Sequence, residues 1–358
     1  MQLTDSEIDE IIRLGGLAPS GGNAQPWKIR VDANCLELGI QPERAGSFLD
    51  VGYLASLYSL GSFLENVCLA STSLGLTYEV QLHEFRIPTD PVATVRYRER
   101  SEGLEKDPLY EQIPRRHTNR HLHQGALLPN EVVESLRAAM RPWPRLGLAT
   151  LSDSSGKKRA AAILGRSNAL SLRHPVLFHQ MMNELRWSTA EAQSSRDGVA
   201  ISTLELPPPA VILLRTLRRY PTLRWLLPRP ALEKMPEAAV MGCSHLCVQT
   251  IRGAPSTENF VNAGRALQRA WLQASALELA VQPLAILPFL VLRARRFQST
   301  GFSPRQADEV LKLGADLNAL YSLGEDEFPV FIFRLSAPAA AASERALRLP
   351  HRELYARA

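Results

Sequence analysis

Cysteine is scarce: four residues in a chain of 358, with no Cys-x-x-Cys pair, which excludes a disulfide scaffold and the usual zinc-ribbon spacing. Long apolar runs are also missing. The most apolar stretch, Ala280 to Leu292, is interrupted by Gln282, Pro283 and Pro288 and falls short of the roughly 18–20 residues of a membrane span. The N-terminus runs into a capped helix without a basic and then apolar leader, so no signal peptide is expected and a cytoplasmic protein is the simplest reading. Charge of one sign is not dominant either. A formal net charge of +5 from arginines spread along the chain, without an aromatic-basic signature, argues against a nucleic-acid partner. No G-x-G-x-x-G follows a strand, and no Ser-His-Asp set or metal triad stands out. Cys243, His245 and Cys247 alternate in one apolar run, but ligands two apart on a strand fan outward, so buried soft side chains are expected there and no metal.

Against these absences, a composition 45% hydrophobic provides ample core for two intimate halves. The most informative stretch is Ala18-Pro-Ser-Gly-Gly-Asn-Ala-Gln-Pro-Trp27. It follows a helix expected over 5–16, opened by the capping box Thr4 and Glu7, and precedes a strand at 27–32. Gly21 and Gly22 let backbone approach a flat ligand, and the amides of Asn23 and Gln25 offer donor and acceptor together. The second feature is Arg115-Arg116-His117-Thr118-Asn119-Arg120: three arginines and a hydroxyl in six residues are phosphate chemistry.

The first stretch resembles the P-S-x-x-N-x-Q-P-W loop of the nitroreductase family, matching at Pro19, Ser20, Asn23, Gln25, Pro26 and Trp27. The second is similar to that family's R-x-S-x-R motif, with Arg116, Thr118 and Arg120 in the matching places. The resemblance implies FMN as cofactor, its phosphate held by the second motif and its ring edge by Ser20, Gly21, Asn23 and Gln25. It further implies that Gln282, Pro283 and Leu284 pass backbone across the ring near N5, although the family's usual glycine is missing there. In the tail, Arg348 matches a late basic motif that returns to the phosphate, with Arg345 as the alternative.

In the family's single-domain members the phosphate motif precedes the loop; here the order is reversed, and each half carries the piece the other lacks. The chain therefore resembles tandem members of the family, also found fused to adenylating domains, which makes an adenylating enzyme a possible partner class. The fold implied is α+β and nitroreductase-like, two fused halves forming an intramolecular pseudo-dimer with mixed sheets flanked by helices. The halves are set at 1–108 and 109–358. Periodicity adds a buried helix over 50–74 with Asp50 as its cap, helices over 130–140, 154–172, 174–186, 258–279 and 303–322, and strands at 35–40, 77–84, 92–99, 146–151, 239–250 and 328–335.

An irregular insertion at 204–237 has five arginines and six prolines between Leu206 and Leu232, and no acid. Three readings stand: a lid over the ring, a surface extension, or a membrane-surface segment. The string Asn183-Glu-Leu-Arg-Trp187 resembles a substrate-side helix end in the tandem members and is equally a solvated helix terminus, so it stays outside the site set. The activity implied is ping-pong hydride transfer between NAD(P)H and a small organic acceptor, or dehydrogenation in the reverse sense. The alternative is a protein that sequesters FMN beneath a lid with little turnover.

Overall fold

Thr4 opens the first helix with a reciprocal cap: its Oγ1 accepts from the Glu7 N–H at 3.3 Å, and Glu7 Oε2 accepts from the Thr4 N–H at 2.7 Å. The structure, a computed structural model, describes residues 2–88, 90–101, 103–122, 127–296, 301–338, 340–342 and 344–357. Helix α1 (Asp5–Gly15) is followed by β1 (Trp27–Asp32), with a strictly alternating burial pattern, then β2 (Cys35–Ile40), α2 (Leu54–Ser73), β3 (Leu76–Leu82) and β4 (Pro91–Arg100). The second half contributes α3 (Asn130–Ala139), β5 (Leu146–Leu151), α4 (Ser154–Arg173), α5 (Pro175–Glu184), β6 (Leu185–Arg186), α6 (Thr189–Ser195) and β7 (Val199–Ala200). It continues with α7 (Pro208–Arg219), α8 (Arg229–Lys234), α9 (Glu237–Met241), β8 (His245–Arg252), α10 (Thr257–Ala276), β9 (Ala280–Pro283), α11 (Ile286–Arg296), α12 (Pro304–Leu320), β10 (Glu327–Ser336) and β11 (Tyr355–Arg357).

The strands form two main sheets and a short two-stranded one. The first runs β11-β1-β2-β4-β3 and is mixed, because β11 from the far end of the chain lies parallel to β1. The second runs β5-β8-β10-β9 and is antiparallel throughout. One apolar core extends from the first sheet through α2 and α10 to the second. The two helices touch backbone to backbone. A Cβ on Gly61 would stand 1.9 Å from the Val261 carbonyl oxygen, and one on Gly264 would stand 1.8 Å from that of Tyr58. Polar groups along the crossing are matched: Gln268 Nε2 donates to Asn66 Oδ1 at 2.7 Å, and Glu65 pairs with Arg265 at 2.9 Å and Arg269 at 3.1 Å.

Several expectations change. Asp50 does not occupy the cap position of α2, which starts after a left-handed turn at Gly52 and Tyr53; its carboxylate reaches forward instead to the Ser56 N–H at 2.9 Å. The strand expected over 239–250 begins only at His245, because Pro236 and the helix-forming Glu237-Ala238-Ala239 run as α9. Cys243 thus precedes the strand and packs in a different cluster from Cys247. Among the described residues no cluster of metal-ligating side chains forms. The insertion is largely helical rather than irregular. Its prolines Pro208, Pro209, Pro221 and Pro230 stand in the first turns of helices, where no N–H is needed, so they start helices instead of breaking them. No described helix is long and apolar enough to cross a membrane.

Candidate functional site

Residues from both sides of position 109 line a cavity of about 470 Å³. Of the residues singled out in the sequence, Ser20, Gly21, Asn23, Arg116, Thr118, Arg120, Pro283 and Arg348 line it, whereas Gln25, Gln282 and Leu284 do not.

The loop owes its shape to three left-handed residues in four: Gly22 (φ 55°), Asn23 (φ 55°) and Gln25 (φ 53°). Ser20 Oγ braces it by accepting the Gln25 N–H at 3.0 Å. At Gly22 a Cβ would both be strained by the positive φ and meet the Glu184 carboxylate at 2.7 Å, so a larger residue there would displace Glu184. Asn23 Nδ2 donates to the Gly198 and Leu347 carbonyls, both at 3.0 Å, and its Oδ1 accepts from Arg348 Nη1 at 2.8 Å. Gln25 Nε2 donates to the Arg196 carbonyl at 2.9 Å while its Oε1 accepts the Leu349 N–H at 2.9 Å. Both amides are engaged in clasping the tail and the 196–198 turn to the loop. The donors expected at a ring edge are already given to carbonyls.

Cations gather on another wall. Arg116 is only 7% exposed; its guanidinium lies 4.6 Å from the centre of the Trp271 ring and donates to the Leu17 carbonyl at 3.2 Å. Arg348 donates to Ala18 at 3.2 Å as well as to Asn23, and Arg345 holds the carbonyls of Pro114 and Arg115. The Nε atoms of Arg116 and Arg348 are buried without a hydrogen-bond partner. Among the described residues no carboxylate pairs with either. Burial, and then repulsion from Arg348 and Arg345, pushes Arg116 down to about 9; burial pushes Arg348 down to about 10. A guanidinium keeps its proton at neutral pH even so, and the strain is relieved by an incoming anion. Arg120 donates to the Thr203 carbonyl at 3.0 Å, and burial lowers it against the opposing pull of Glu205.

The 282–284 segment departs from expectation because Gln282 and Pro283 end the strand β9 instead of forming a free turn, and Leu284 follows it directly. Gln282 Oε1 accepts from Arg334 Nε at 2.5 Å, Pro283 has no N–H, and the Leu284 N–H is bonded to Ile332 at 2.7 Å. Only Pro283 meets the cavity. Tyr58, Leu177, Met181, Phe289 and Phe331 complete an apolar compartment.

One residue named only as an alternative proves to be a companion, and one contributor escaped the sequence. Arg345 joins the cationic wall together with Arg348 instead of replacing it. Glu184, at the end of α5, faces the cavity beside Gly22, and burial raises its carboxyl while Arg186 opposes the rise. The string around Glu184 did carry the signal, but a helix end looks the same whether it meets solvent or a cavity. The insertion is not a lid in this structure: no residue between 204 and 237 lines the cavity. Leu217 and Leu232 pack on Leu172, Phe178, Met182, Leu185 and Trp187, on α4, α5 and the residues just after α5.

Over 345 residues the chain is 30% identical to an uncharacterised protein of Mycobacterium tuberculosis, covering 94% of this chain and 47% of that protein. It thus spans about half the length of that relative. No protein-family model matches. Among solved structures, the FMN and NADPH-dependent nitroreductase NfnB of a Sphigopyxis strain aligns with 69% of this chain and 97% of its own at 10% identity and a TM-score of 0.40. A nitroreductase with bound FMN from Bacteroides fragilis aligns with 68% and 95% at 10% identity and a TM-score of 0.33. In sequence the chain is 23% identical over 296 residues to the probable NAD(P)H nitroreductase PigM of Serratia, across 79% of this chain and 81% of that one.

Proposed function

We propose that the chain is an FMN-dependent oxidoreductase of the nitroreductase type, with one composite site between two fused halves. The observation that carries this reading is the buried, unneutralised pair Arg116 and Arg348, with Arg345, at a cavity whose other walls are largely apolar. Such a cationic set suits a terminal phosphate, whose oxygens accept several charge-assisted hydrogen bonds at once. FMN, when bound, supplies two-electron transfer through its ring N5. Arg116, Arg345 and Arg348, with the Thr118 hydroxyl, would hold the phosphate. Gly21 and Gly22 allow the backbone close approach, and Tyr58, Phe289 and Phe331 keep water from the ring compartment. Glu184, held in its acid form to higher pH by burial, offers a proton at its carboxyl to an acceptor reduced by NADH or NADPH. The fused-halves reading is supported by the reciprocal glycine contacts of α2 and α10 and by cavity walls from both sides of residue 109.

A second reading, FMN held with little turnover, is favoured by the tail. Glu344, Arg345 and Arg348 line the cavity, and the segment is tied down by Ser202 Oγ on Glu344 at 2.6 Å and by Asn23. The visible spectrum of the purified chain, the mass of the heat-released cofactor, and anaerobic titration with NADH and NADPH test both. One FMN per chain, bleached by a nicotinamide, is expected. Flavin that neither nucleotide bleaches favours sequestration, and FAD, or no flavin after reconstitution, overturns the proposal.

A further inference from the structure

Outside the cavity the surface is uneven in one place. Of the fifteen large hydrophobic side chains exposed among the described residues, seven fall between Leu206 and Met235: Leu206, Ile212, Leu213, Tyr220, Trp225, Leu226 and Met235. Scattered exposed hydrophobics are ordinary, but such a concentration marks an interaction surface. The same segment holds the chain's entire charge excess. Residues 206–232 carry five arginines and no acid, leaving 36 basic and 36 acidic residues elsewhere.

Packing fixes which side faces out. Leu214 and Leu217 of α7 pack inward against α4 and α5, so the opposite stripe, Ile212, Arg215 and Arg219 at helical spacing, lies on the outer side, with the exposed Arg215 side chain reaching back to donate to the Trp187 carbonyl at 3.4 Å. In the turn at Pro221–Leu226, Leu223 packs inward, while Trp225 and Leu226 are 51% and 77% exposed. Arg173 and Arg224 lie 5.7 and 5.1 Å from the Trp225 ring, and Arg219 lies 5.7 Å from that of Tyr220. Among the described residues, Arg215, Arg218, Arg219 and Arg224 form no ion pair. Arg229 is paired with Glu233 and Glu309.

We propose that α7 and the turn after it form a docking surface for an anionic lipid bilayer, lying in the headgroup layer without crossing it. Arginines with no internal counterion meet lipid phosphates, Ile212, Leu213 and Leu226 enter the acyl boundary, and Tyr220 and Trp225 sit at the interface where amphipathic rings are favoured. An acidic protein partner would answer the charge, but a strip of exposed Trp, Tyr, Ile and Leu interleaved with arginine fits the layered polarity of a bilayer better. The surface lies on the outer side of the α4 and α5 wall, so it is independent of whether the cavity holds FMN.

Co-sedimentation of the full chain with phosphatidylcholine vesicles, with and without roughly a third phosphatidylglycerol, tests the proposal. Binding to the anionic vesicles alone is expected, weakening with salt, with tryptophan emission quenched by brominated lipid. Trp225→Phe should bind equally and lose the quenching, because the other four tryptophans are not exposed. Arg215→Gln with Arg219→Gln should weaken binding about fivefold per charge. Ile212→Ser with Leu226→Ser should weaken it without changing its salt dependence, and unchanged circular dichroism certifies the fold. Should a variant fail to fold, the salt titration and the Trp225 quenching of the unaltered chain decide. No binding to anionic vesicles, or binding that all four substitutions leave within about twofold, overturns the proposal and leaves the strip to a protein partner.

Discussion

Arg116 is a buried cation without an anion beside it among the described residues, and removing such a charge from water costs on the order of several kcal/mol. Ligand binding and chain stability therefore pull in opposite directions at this residue. Arg116→Met should lower FMN affinity by about 2 kcal/mol or more, roughly thirtyfold, yet leave the melting temperature of the cofactor-free chain unchanged or higher. Fluorescence titration and thermal melts check the two halves of that expectation. Asn23→Ala should do the reverse. It leaves the carbonyls of Gly198 and Leu347 unpaired, so about 1–3 kcal/mol of stability should go, with faster tryptic cleavage at Arg345 or Arg348. Glu184 makes a pH-dependent expectation. Because burial raises its carboxyl, acceptor reduction that draws on its proton should fall as pH climbs through that raised value. Glu184→Gln should flatten the profile without changing the rate at which nicotinamide bleaches the flavin, and stopped-flow measurement of the two half-reactions separates them.

At the scale of elements, the crossing of α2 and α10 is the contact with least tolerance. Gly61→Ala or Gly264→Ala would drive a methyl group to within 2 Å of a facing carbonyl oxygen, forcing the helices apart. Urea unfolding should show a loss of about 3 kcal/mol or more in either variant. Deleting 207–232 should expose Leu172, Phe178 and Trp187 and lower the melting temperature, with no gain in flavin accessibility, since the segment lines no part of the cavity. These elements differed in how plainly the sequence announced them. Strand β1 and helix α1 carry clean periods of two and 3.6 and a complete capping box, all local signals. The insertion misleads because proline is read as a breaker unless its place in the first turn is known. Strand β9 reads as a turn because its pairing with β10 is made by residues some fifty positions away.

For the whole molecule, the cavity is lined from both sides of position 109 and by the far end of the chain, which then returns to add β11 to the first sheet. That Arg116, Thr118 and Arg120 meet at one cavity was legible because they stand within five residues of one another. The roles of Asn23 and Gln25 were not, because an amide that clasps a tail and one that faces a ring leave the same letter in the sequence, and the tail lies more than 300 residues away. On the proposed reading the cationic wall recognises a terminal phosphate. Its most direct measurement compares the affinities of FMN and riboflavin for the cofactor-free chain and for Arg116→Met. FMN should bind the unaltered chain far more tightly than riboflavin, and the substitution should erase most of this difference while leaving riboflavin affinity within about threefold. Equal affinities for the two flavins in the unaltered chain, or a preference for FMN that survives the loss of Arg116, would contradict it.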